Sequence, residues 1–274
     1  MNRVKLLFED LARKHFTEGR VQKFKDWIEN AEKARRAGSL DGRLNQYDKA
    51  EELITFYTFA PLELRKDKIY VVEEILELAN VHESLEEPMN LGFERQLQPP
   101  EGYLRWLAKE VDRHPLTYIR KQGREHISNG KPLETNTHVD VVIKAKNLLA
   151  LVEVKFTSDI SSQTTFNAHR NQLARTIDAG MSRLKKDQRL IVLLCSPSEF
   201  YKKKSRFYYY KLQEYTDFNK IKDDIGWREL AEIKKHLLSV AWVPLEKAIE
   251  AIYRNLDFPQ SDEARAFFKE RRLA

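Results

Sequence analysis

The amino-acid sequence predicts an α/β protein whose central sheet is flanked by helices and preceded by a largely helical N-terminal portion. The first third of the chain repeats apolar residues at the three- and four-residue spacing of helices. The middle of the chain changes to strand-like runs, at His138 to Lys144, Leu148 to Phe156 and Leu190 to Cys195. A helical stripe separates the second run from the third, and this order of elements is typical of an α/β core.

The first 98 residues are predicted to form a helical region. Four segments place apolar residues at helical spacing or form short, mainly apolar stretches. Their positions are Val4, Leu7, Phe8 and Leu11; Val21, Phe24, Ile28 and Ala31; and the ranges Ala50 to Phe59 and Tyr70 to Leu78. Two arrangements stay open at the level of sequence: a separate helical subdomain, or a helical layer packed on the core that follows.

A second domain is predicted to cover residues 99–274. It begins near a cluster of turn-forming residues that is typical of a loop or a domain junction. These residues are Pro88, Gly92, Pro99, Pro100 and Gly102. A helix is then predicted from Tyr103 to Arg120, and we expect Pro115 to end or kink it because proline lacks a backbone donor.

The core of the second domain begins with a predicted β-hairpin, in which the polar link Lys144 to Asn147 joins the first two strand-like runs. Leu190 to Cys195 is predicted as a buried strand, and the aromatic run Phe207 to Leu212 predicts a further strand. Two helices are predicted around these strands. Their apolar stripes are Leu173, Ile177, Met181 and Leu184 in one, and Leu245, Ile249, Ile252 and Tyr253 in the other.

Composition limits the classes of protein to consider. The chain has 274 residues, 33% of them charged, and a formal net charge of +6. A basic balance favours a polyanionic partner, although many basic proteins never bind nucleic acid. The single cysteine, Cys195, excludes an intramolecular disulfide and a cysteine-based zinc site. Because no segment resembles a signal peptide or is apolar enough to cross a bilayer, we expect a cytoplasmic protein without a membrane partner.

Three charged residues stand inside the strand-like runs, where an ionised side chain is costly unless it is paired or bound to a metal. Asp140 belongs to the first run, and Glu153 and Lys155 belong to the second. Because side chains alternate along a strand, Glu153 and Lys155 share one face, and a hairpin places Asp140 near them. Two close carboxylates bind hard cations through oxygen. The alternative is a cross-strand salt-bridge cluster on a solvated face.

This arrangement resembles the PD-(D/E)XK nuclease superfamily, in which an acidic residue precedes a Glu-x-Lys sequence. The matching residues are Asp140 and then Glu153-Val154-Lys155, with Val139 in place of the proline of the family name. The resemblance covers a minority of the chain, from Asp140 to Cys195, and implies a restriction-endonuclease-like mixed central sheet flanked by helices. It also implies that Asp140, Glu153 and the carbonyl of Val154 hold Mg²⁺ or Mn²⁺, and that Lys155 positions the nucleophile.

Two further site residues are implied by the resemblance: a glutamate upstream of the core and, in some families, a glutamine after the lysine. The candidates for the glutamate are Glu94, Glu110, Glu125 and Glu134. Proximity to Asp140 in the chain favours Glu134 as the further metal ligand. Gln172 is the candidate glutamine, with a solvated helix residue as the alternative. His138 also shares the predicted face of Asp140, where an ordinary polar histidine is the simpler interpretation.

A basic and aromatic segment, Phe200 to Lys211, follows the last predicted core strand. Basic side chains suit phosphate groups, and aromatic rings suit exposed bases. The predicted nucleic-acid-binding residues are Lys202, Lys203, Lys204 and Arg206; a solvated loop is the alternative. The sequence contains no HExxH, glycine-rich phosphate-loop or GxSxG motif, which argues against zinc proteases, P-loop enzymes and α/β-hydrolases.

The function expected from these features is metal-dependent hydrolysis of DNA phosphodiester bonds. The expected catalytic residues are Asp140, Glu153, Lys155 and Gln172, the cofactor is Mg²⁺ or Mn²⁺, and the partner is DNA. Cleavage of both strands of a duplex often uses two subunits, so a homodimer is one arrangement that the resemblance allows. Two other functions stay open: a non-catalytic nucleic-acid-binding protein, and a subunit of a larger complex that keeps a nuclease-like fold.

Overall fold

The N-terminal part of the protein is helical in the computed structural model, which describes residues 6–36, 51–256, 258 and 260–273. The first helices are α1 (Glu9–His15), α2 (Glu18–Arg36), α3 (Glu51–Phe59) and α4 (Lys68–Leu78), and a 3-10 helix (Ala60–Leu64) follows α3 directly. Three predicted helical positions fall outside this description: Val4 and Ala50 lie outside the described residues, and so does the side chain of Ala31.

Five strands in the described part of the chain form one mixed sheet in the order β1-β2-β3-β4-β5. They are β1 (Asn90–Leu97), β2 (Thr137–Lys144), β3 (Leu148–Val154), β4 (Arg189–Ser196) and β5 (Leu237–Pro244). The first three strands pair antiparallel, and β3, β4 and β5 pair parallel. The predicted hairpin is confirmed as β2 and β3, and the predicted buried strand as β4.

Helices cover both faces of this sheet. Successive residues of a central strand point to opposite sides, so alternate residues pack against different helices. On β3, Ala150 and Val152 pack into one hydrophobic cluster with α1 to α4, α12 (Leu245–Tyr253) and α13 (Ser261–Glu270). Leu149 and Leu151 pack into the opposite cluster with α7 (Gln172–Met181), α9 (Phe207–Glu214), α10 (Phe218–Ile225) and α11 (Leu230–His236). By this alternation, Glu153 lies on the α7 side of the sheet.

A helical hairpin connects β1 to β2, where the sequence predicts one helix from Tyr103 to Arg120. Its helices are α5 (Glu101–Arg113) and α6 (Thr117–Ser128), and Pro115 lies between them, so the predicted interruption is confirmed. None of the helices within the described ranges is both long and apolar enough to cross a membrane.

Three elements differ from the sequence prediction. The range 1–98, predicted as helical, also contains β1, and Gly92 lies within this strand rather than in a loop. β5 is a strand that the sequence analysis does not predict. The predicted strand Phe207 to Leu212 is wrong, because these residues form α9, with Tyr208 and Leu212 buried one helical turn apart.

Candidate active site

Asp140 and Glu153 come together at the end of the β2–β3 hairpin. The last backbone pair of this ladder joins Val141 to Val152, and the next residues along the two strands are Asp140 and Glu153. There the Asp140 side chain continues the hydrogen bonding, since its Oδ2 accepts a hydrogen bond from the Val154 backbone N–H at 2.7 Å. The hairpin therefore places the two carboxylates next to each other, as the strand pattern predicts.

Lys155 and Gln172 both contact the carboxylate of Glu153. The Lys155 Nζ lies 2.8 Å from Glu153 Oε1, and the Gln172 side-chain amide donates a hydrogen bond to the same oxygen. Glu153 is only 2% exposed, so these contacts are made away from solvent. Within the described part of the chain, no hydrogen-bond partner reaches Glu153 Oε2. One oxygen of this buried carboxylate therefore has no hydrogen-bond donor among the described residues.

Burial and mutual repulsion govern the ionisation of this cluster. Burial raises the pKa of Asp140 well above that of an ordinary aspartate, and the neighbouring Glu153 raises it further. Burial also raises the pKa of Glu153, against the opposing effect of Lys155. For Lys155, burial disfavours the ammonium, but Glu153 and Asp140 outweigh it and raise the pKa to about 12. Two carboxylates thus share one cation, and a second cation would relieve their repulsion.

Glu51, the first residue of α3, belongs to the site although the sequence analysis does not select it. Its Oε1 accepts hydrogen bonds from the backbone N–H groups of residues 156–158, at distances between 2.9 and 3.1 Å. Its charge also raises the pKa values of Asp140, Glu153 and Lys155. Glu51 is therefore a helix-borne glutamate, upstream of the core, whose charge reaches both carboxylates.

Glu134, favoured from the sequence as the upstream ligand, is engaged elsewhere. Its Oε2 accepts hydrogen bonds from Tyr103 Oη at 3.0 Å and from Arg170 Nε at 3.2 Å, and its Oε1 accepts one from Arg170 Nη2 at 3.3 Å. Arg170 is fully buried and also lies 2.7 Å from Asp178. Because a buried guanidinium needs such partners, we assign Glu134 to this ion-pair network rather than to the Asp140–Glu153 pair.

The predicted nucleic-acid-binding residues lie beside the loop that follows Lys155. Three of them, Lys202, Lys203 and Lys204, are exposed at the end of α8 (Ser198–Lys202), and Arg206 precedes α9. Residues of this loop contact the segment that carries the basic residues. Asp159 accepts hydrogen bonds from the backbone N–H groups of Phe207 and Tyr208 at 2.5 and 3.1 Å, and the Phe156 ring packs edge-on against Phe200.

The donor set at the hairpin end suits a hard divalent cation. Two carboxylates lie together, burial raises the pKa of both, and one buried oxygen lacks a partner in the described residues. Within the same residues, no group of three or more His, Cys, Asp and Glu side chains is arranged to hold a metal ion. At the hairpin end, the described residues therefore offer a cation two acidic side chains, and the resemblance adds the backbone carbonyl of Val154.

Comparisons with known proteins add no functional assignment. No family model matches the chain, and neither the curated proteins nor the solved structures give a match. The geometry of the hairpin end and the charged residues around it are therefore the basis for inferring a function.

Proposed function

We propose that this protein is a metal-dependent DNA endonuclease with a restriction-endonuclease-like fold. The observation that carries the proposal is the meeting of Asp140, Glu153 and Lys155 at the end of the β2–β3 hairpin, wholly or partly withdrawn from solvent. The mixed sheet with helices on both faces supports the proposed fold. The helix-borne Glu51 beside the cluster supports the resemblance to the PD-(D/E)XK superfamily.

Asp140 and Glu153 hold Mg²⁺ or Mn²⁺ in this proposal, together with the backbone carbonyl of Val154. The cation, when bound, supplies positive charge to the phosphate and lowers the pKa of a bound water. Both side chains must be deprotonated to act as ligands. Because burial raises the pKa of Asp140, protons compete with the cation at this residue, and affinity for the cation rises with pH.

Lys155 acts through its charge rather than as a base. The neighbouring carboxylates raise its pKa to about 12, so its ammonium stays protonated at neutral pH. A protonated lysine cannot accept a proton from water, but it stabilises the negative charge that develops on the phosphate and donates a hydrogen bond to the attacking water. Gln172 holds the Glu153 carboxylate in place through its side-chain amide, which makes it a positioning residue.

The test is cleavage of supercoiled plasmid and of single-stranded DNA in Mg²⁺, Mn²⁺ or EDTA. We expect the native protein to cut DNA only with a divalent metal. The variant Lys155→Ala should be slower by at least about 100-fold, the usual effect of removing one group that stabilises transition-state charge. Asp140→Asn should abolish cutting because it removes a ligand.

Lys185→Ala is the matched control for this assay. Lys185 is exposed in the turn before β4, at the end of the parallel strands opposite to Lys155. Metal-independent cutting by the native protein, or equal rates for Lys155→Ala and Lys185→Ala, would contradict the proposed site.

A second candidate function is non-catalytic binding of nucleic acid. The observation that favours it is the buried ion pair of Lys155 with Glu153, which already neutralises one carboxylate without a metal. In that case the charged cluster would stabilise the hairpin, and the basic surface alone would bind DNA. Equal DNA affinity in EDTA and in Mg²⁺, with no cutting of any substrate, would identify this function.

A further inference from the structure

A cavity of about 820 Å³, most of whose lining residues are polar, adjoins the Glu153 site. Gln172 belongs to both, since it lines the cavity and its amide donates to Glu153 Oε1. The walls come from α7, from β2 and the residues before it, from the end of β1 and from the start of α5. The polar groups that face a ligand include those of Arg175, His138, Asn136 and Gln96. Two carboxylates also line the cavity: Glu134, which is paired with Arg170, and the exposed Glu101.

Arg175 supplies a positive charge to the cavity that the protein compensates only weakly. It follows Gln172 by three residues on α7 and therefore lies on the same face of the helix. Its Nη2 donates to Ser161 Oγ at 3.0 Å, and among the described residues no acceptor reaches its buried Nε. Burial lowers the pKa of Arg175, and the nearby carboxylate of Glu134, which is paired with Arg170, opposes this shift only in part. An arginine has five donor hydrogens, so most of its capacity is free for a ligand.

We propose that this cavity binds an unpaired nucleotide of the substrate strand, with a phosphate on Arg175 and the base edge on Asn136, Gln96 and His138. The planar guanidinium matches the geometry of a phosphate. Amide and imidazole groups supply donors and acceptors of the kind that read base edges. The volume falls within the range of about 300–1,000 Å³ that is usual for small-ligand sites. A cavity of this size excludes a duplex, so a nucleotide that enters it must be unpaired.

The inference rests on the proposed nuclease function for its link to cleavage. Since Gln172 contacts the cavity and Glu153 at once, a strand held by Arg175 runs past the paired carboxylates. The substrate class that follows is single-stranded DNA, or DNA with an unpaired segment at the cut, rather than a fully paired duplex.

The experiment is binding of a short single-stranded oligonucleotide of mixed sequence in EDTA, measured by fluorescence anisotropy and compared with the matching duplex. We expect Arg175→Gln to weaken single-strand binding about tenfold or more, the usual cost of one charge-assisted phosphate contact, and to leave duplex binding within about twofold. The matched control is Arg183→Gln, which removes the same charge from an exposed residue just beyond α7. An equal loss in the two variants, or an equal loss for single strand and duplex, would overturn the proposal.

A second variant tests the same cavity in case Arg175→Gln does not fold, since Arg175 is partly buried. Asn136 lies in the loop before β2 and donates to Gln96 Oε1 at 3.2 Å among exposed groups, so Asn136→Ala should fold normally. It should also weaken single-strand binding selectively, and unchanged binding by Asn136→Ala together with a misfolded Arg175→Gln would reject the site.

Binding in EDTA needs no cleavage, so the two proposals can fail separately. If the native protein cuts DNA and Arg175→Gln binds normally, the cavity proposal fails and the nuclease proposal stands. If nothing is cut and Arg175→Gln still loses single-strand binding, the nuclease proposal fails and the cavity proposal stands.

Discussion

Asp140 stands where the backbone ladder between β2 and β3 ends, and its side chain takes the place of a backbone acceptor. A carboxylate in an apolar strand is costly, because burial disfavours its charged form. The Val154 N–H and the Lys155 ammonium offset part of that cost. The repulsion between Asp140 and Glu153 is not offset by these contacts, and it makes the charged cluster a source of instability in the folded protein.

We predict that Asp140→Asn stabilises the metal-free protein at neutral pH. The folded-state pKa of Asp140 is raised, so its contribution to stability is fully present below the unfolded-state pKa and is lost as the pH rises through the folded-state pKa. Each unit of raised pKa corresponds to about 1.4 kcal/mol in the free energy of unfolding. Asparagine carries no charge, so the variant should not show the decrease in the free energy of unfolding that Asp140 causes as the pH rises. Urea unfolding in EDTA, from about pH 4 to about pH 8, measures it.

The control for this prediction is Asp223→Asn, which changes an exposed aspartate on α10. It should follow the native pH dependence. Added Mg²⁺ should stabilise the native protein more than Asp140→Asn, because ligand binding to the folded state adds to stability. If Asp140→Asn unfolds with the same pH dependence as the native protein, the buried charge pair does not destabilise the fold.

Which site residues the sequence can predict depends on how local their environment is. Asp140, Glu153 and Lys155 are recognisable because each interrupts an apolar strand pattern, and strand alternation then places them together. Glu51 reaches the cluster only through tertiary packing, and its one signal is its place at the start of the predicted helix Ala50 to Phe59. Glu134 is near Asp140 in the chain, but the buried charge of Arg170 neutralises it, and no sequence pattern shows that pairing.

Among the elements, α9 shows how tertiary contacts override local preference. Its aromatic residues favour a strand, yet Asp159 accepts hydrogen bonds from its first backbone N–H groups, and Tyr208 and Leu212 bury a helical face. A helix end needs such acceptors, and here they come from a loop that is distant in sequence. Periodicity within the segment cannot predict that contact.

The strands β1 and β5 escape prediction for a different reason. β5 begins directly after α11 and ends directly at α12, with no glycine or polar turn to separate the helical period from the strand period. β1 is an edge strand whose exposed and buried positions do not alternate regularly. β2, β3 and β4 are predictable because their long apolar runs reflect burial on both faces.

The loop after β3 depends on α3 through Glu51, and we predict that Glu51→Ala loosens it. The change leaves three backbone N–H groups of residues 156–158 without their acceptor. The free energy of unfolding should fall by about 1–3 kcal/mol, the scale of losing partly exposed hydrogen bonds to a charged acceptor. If the protein cleaves DNA as proposed, the cleavage rate should fall further than stability alone explains, because this loop directly follows Lys155. Urea unfolding and cleavage rates measured at the same temperature separate the two effects.

Glu250→Ala is the matched control for Glu51→Ala. Glu250 is an exposed glutamate on α12 whose carboxylate pairs with Lys247 at 2.7 Å, and such exposed pairs contribute little stability. If Glu51→Ala is as stable and as active as Glu250→Ala, the contact between α3 and the loop has no role in the site.

At the scale of the whole molecule, the parallel pairing of β3 and β4 directs the site and the basic segment to one edge of the sheet. Val154 pairs with Cys195 near the ends of the two strands, so the residues that follow each strand emerge side by side. Lys155 follows β3, and the residues from Lys202 to Arg206 follow β4, beginning at the last residue of the short helix α8. DNA bound by the basic residues of this segment would pass the paired carboxylates.

We therefore predict that replacing Lys202, Lys204 and Arg206 with alanine weakens DNA binding and reduces its dependence on salt. Each phosphate contact contributes about 0.9 to the slope of log affinity against log salt, so the loss of three contacts should reduce the slope by up to about 3. Lys203 is left in place because it pairs with Glu199 at 2.7 Å. Fluorescence anisotropy in EDTA at several salt concentrations measures the slope without cleavage.

The control is the triple alanine variant of Arg183, Lys185 and Lys186. These exposed residues precede β4, at the opposite edge of the sheet, and their removal lowers the net charge by the same amount. A difference in slope between the two variants therefore reports the position of the charges and not their number. If both variants lower the slope equally, DNA responds to the net charge of the protein, and the edge that carries the carboxylates is not where it binds.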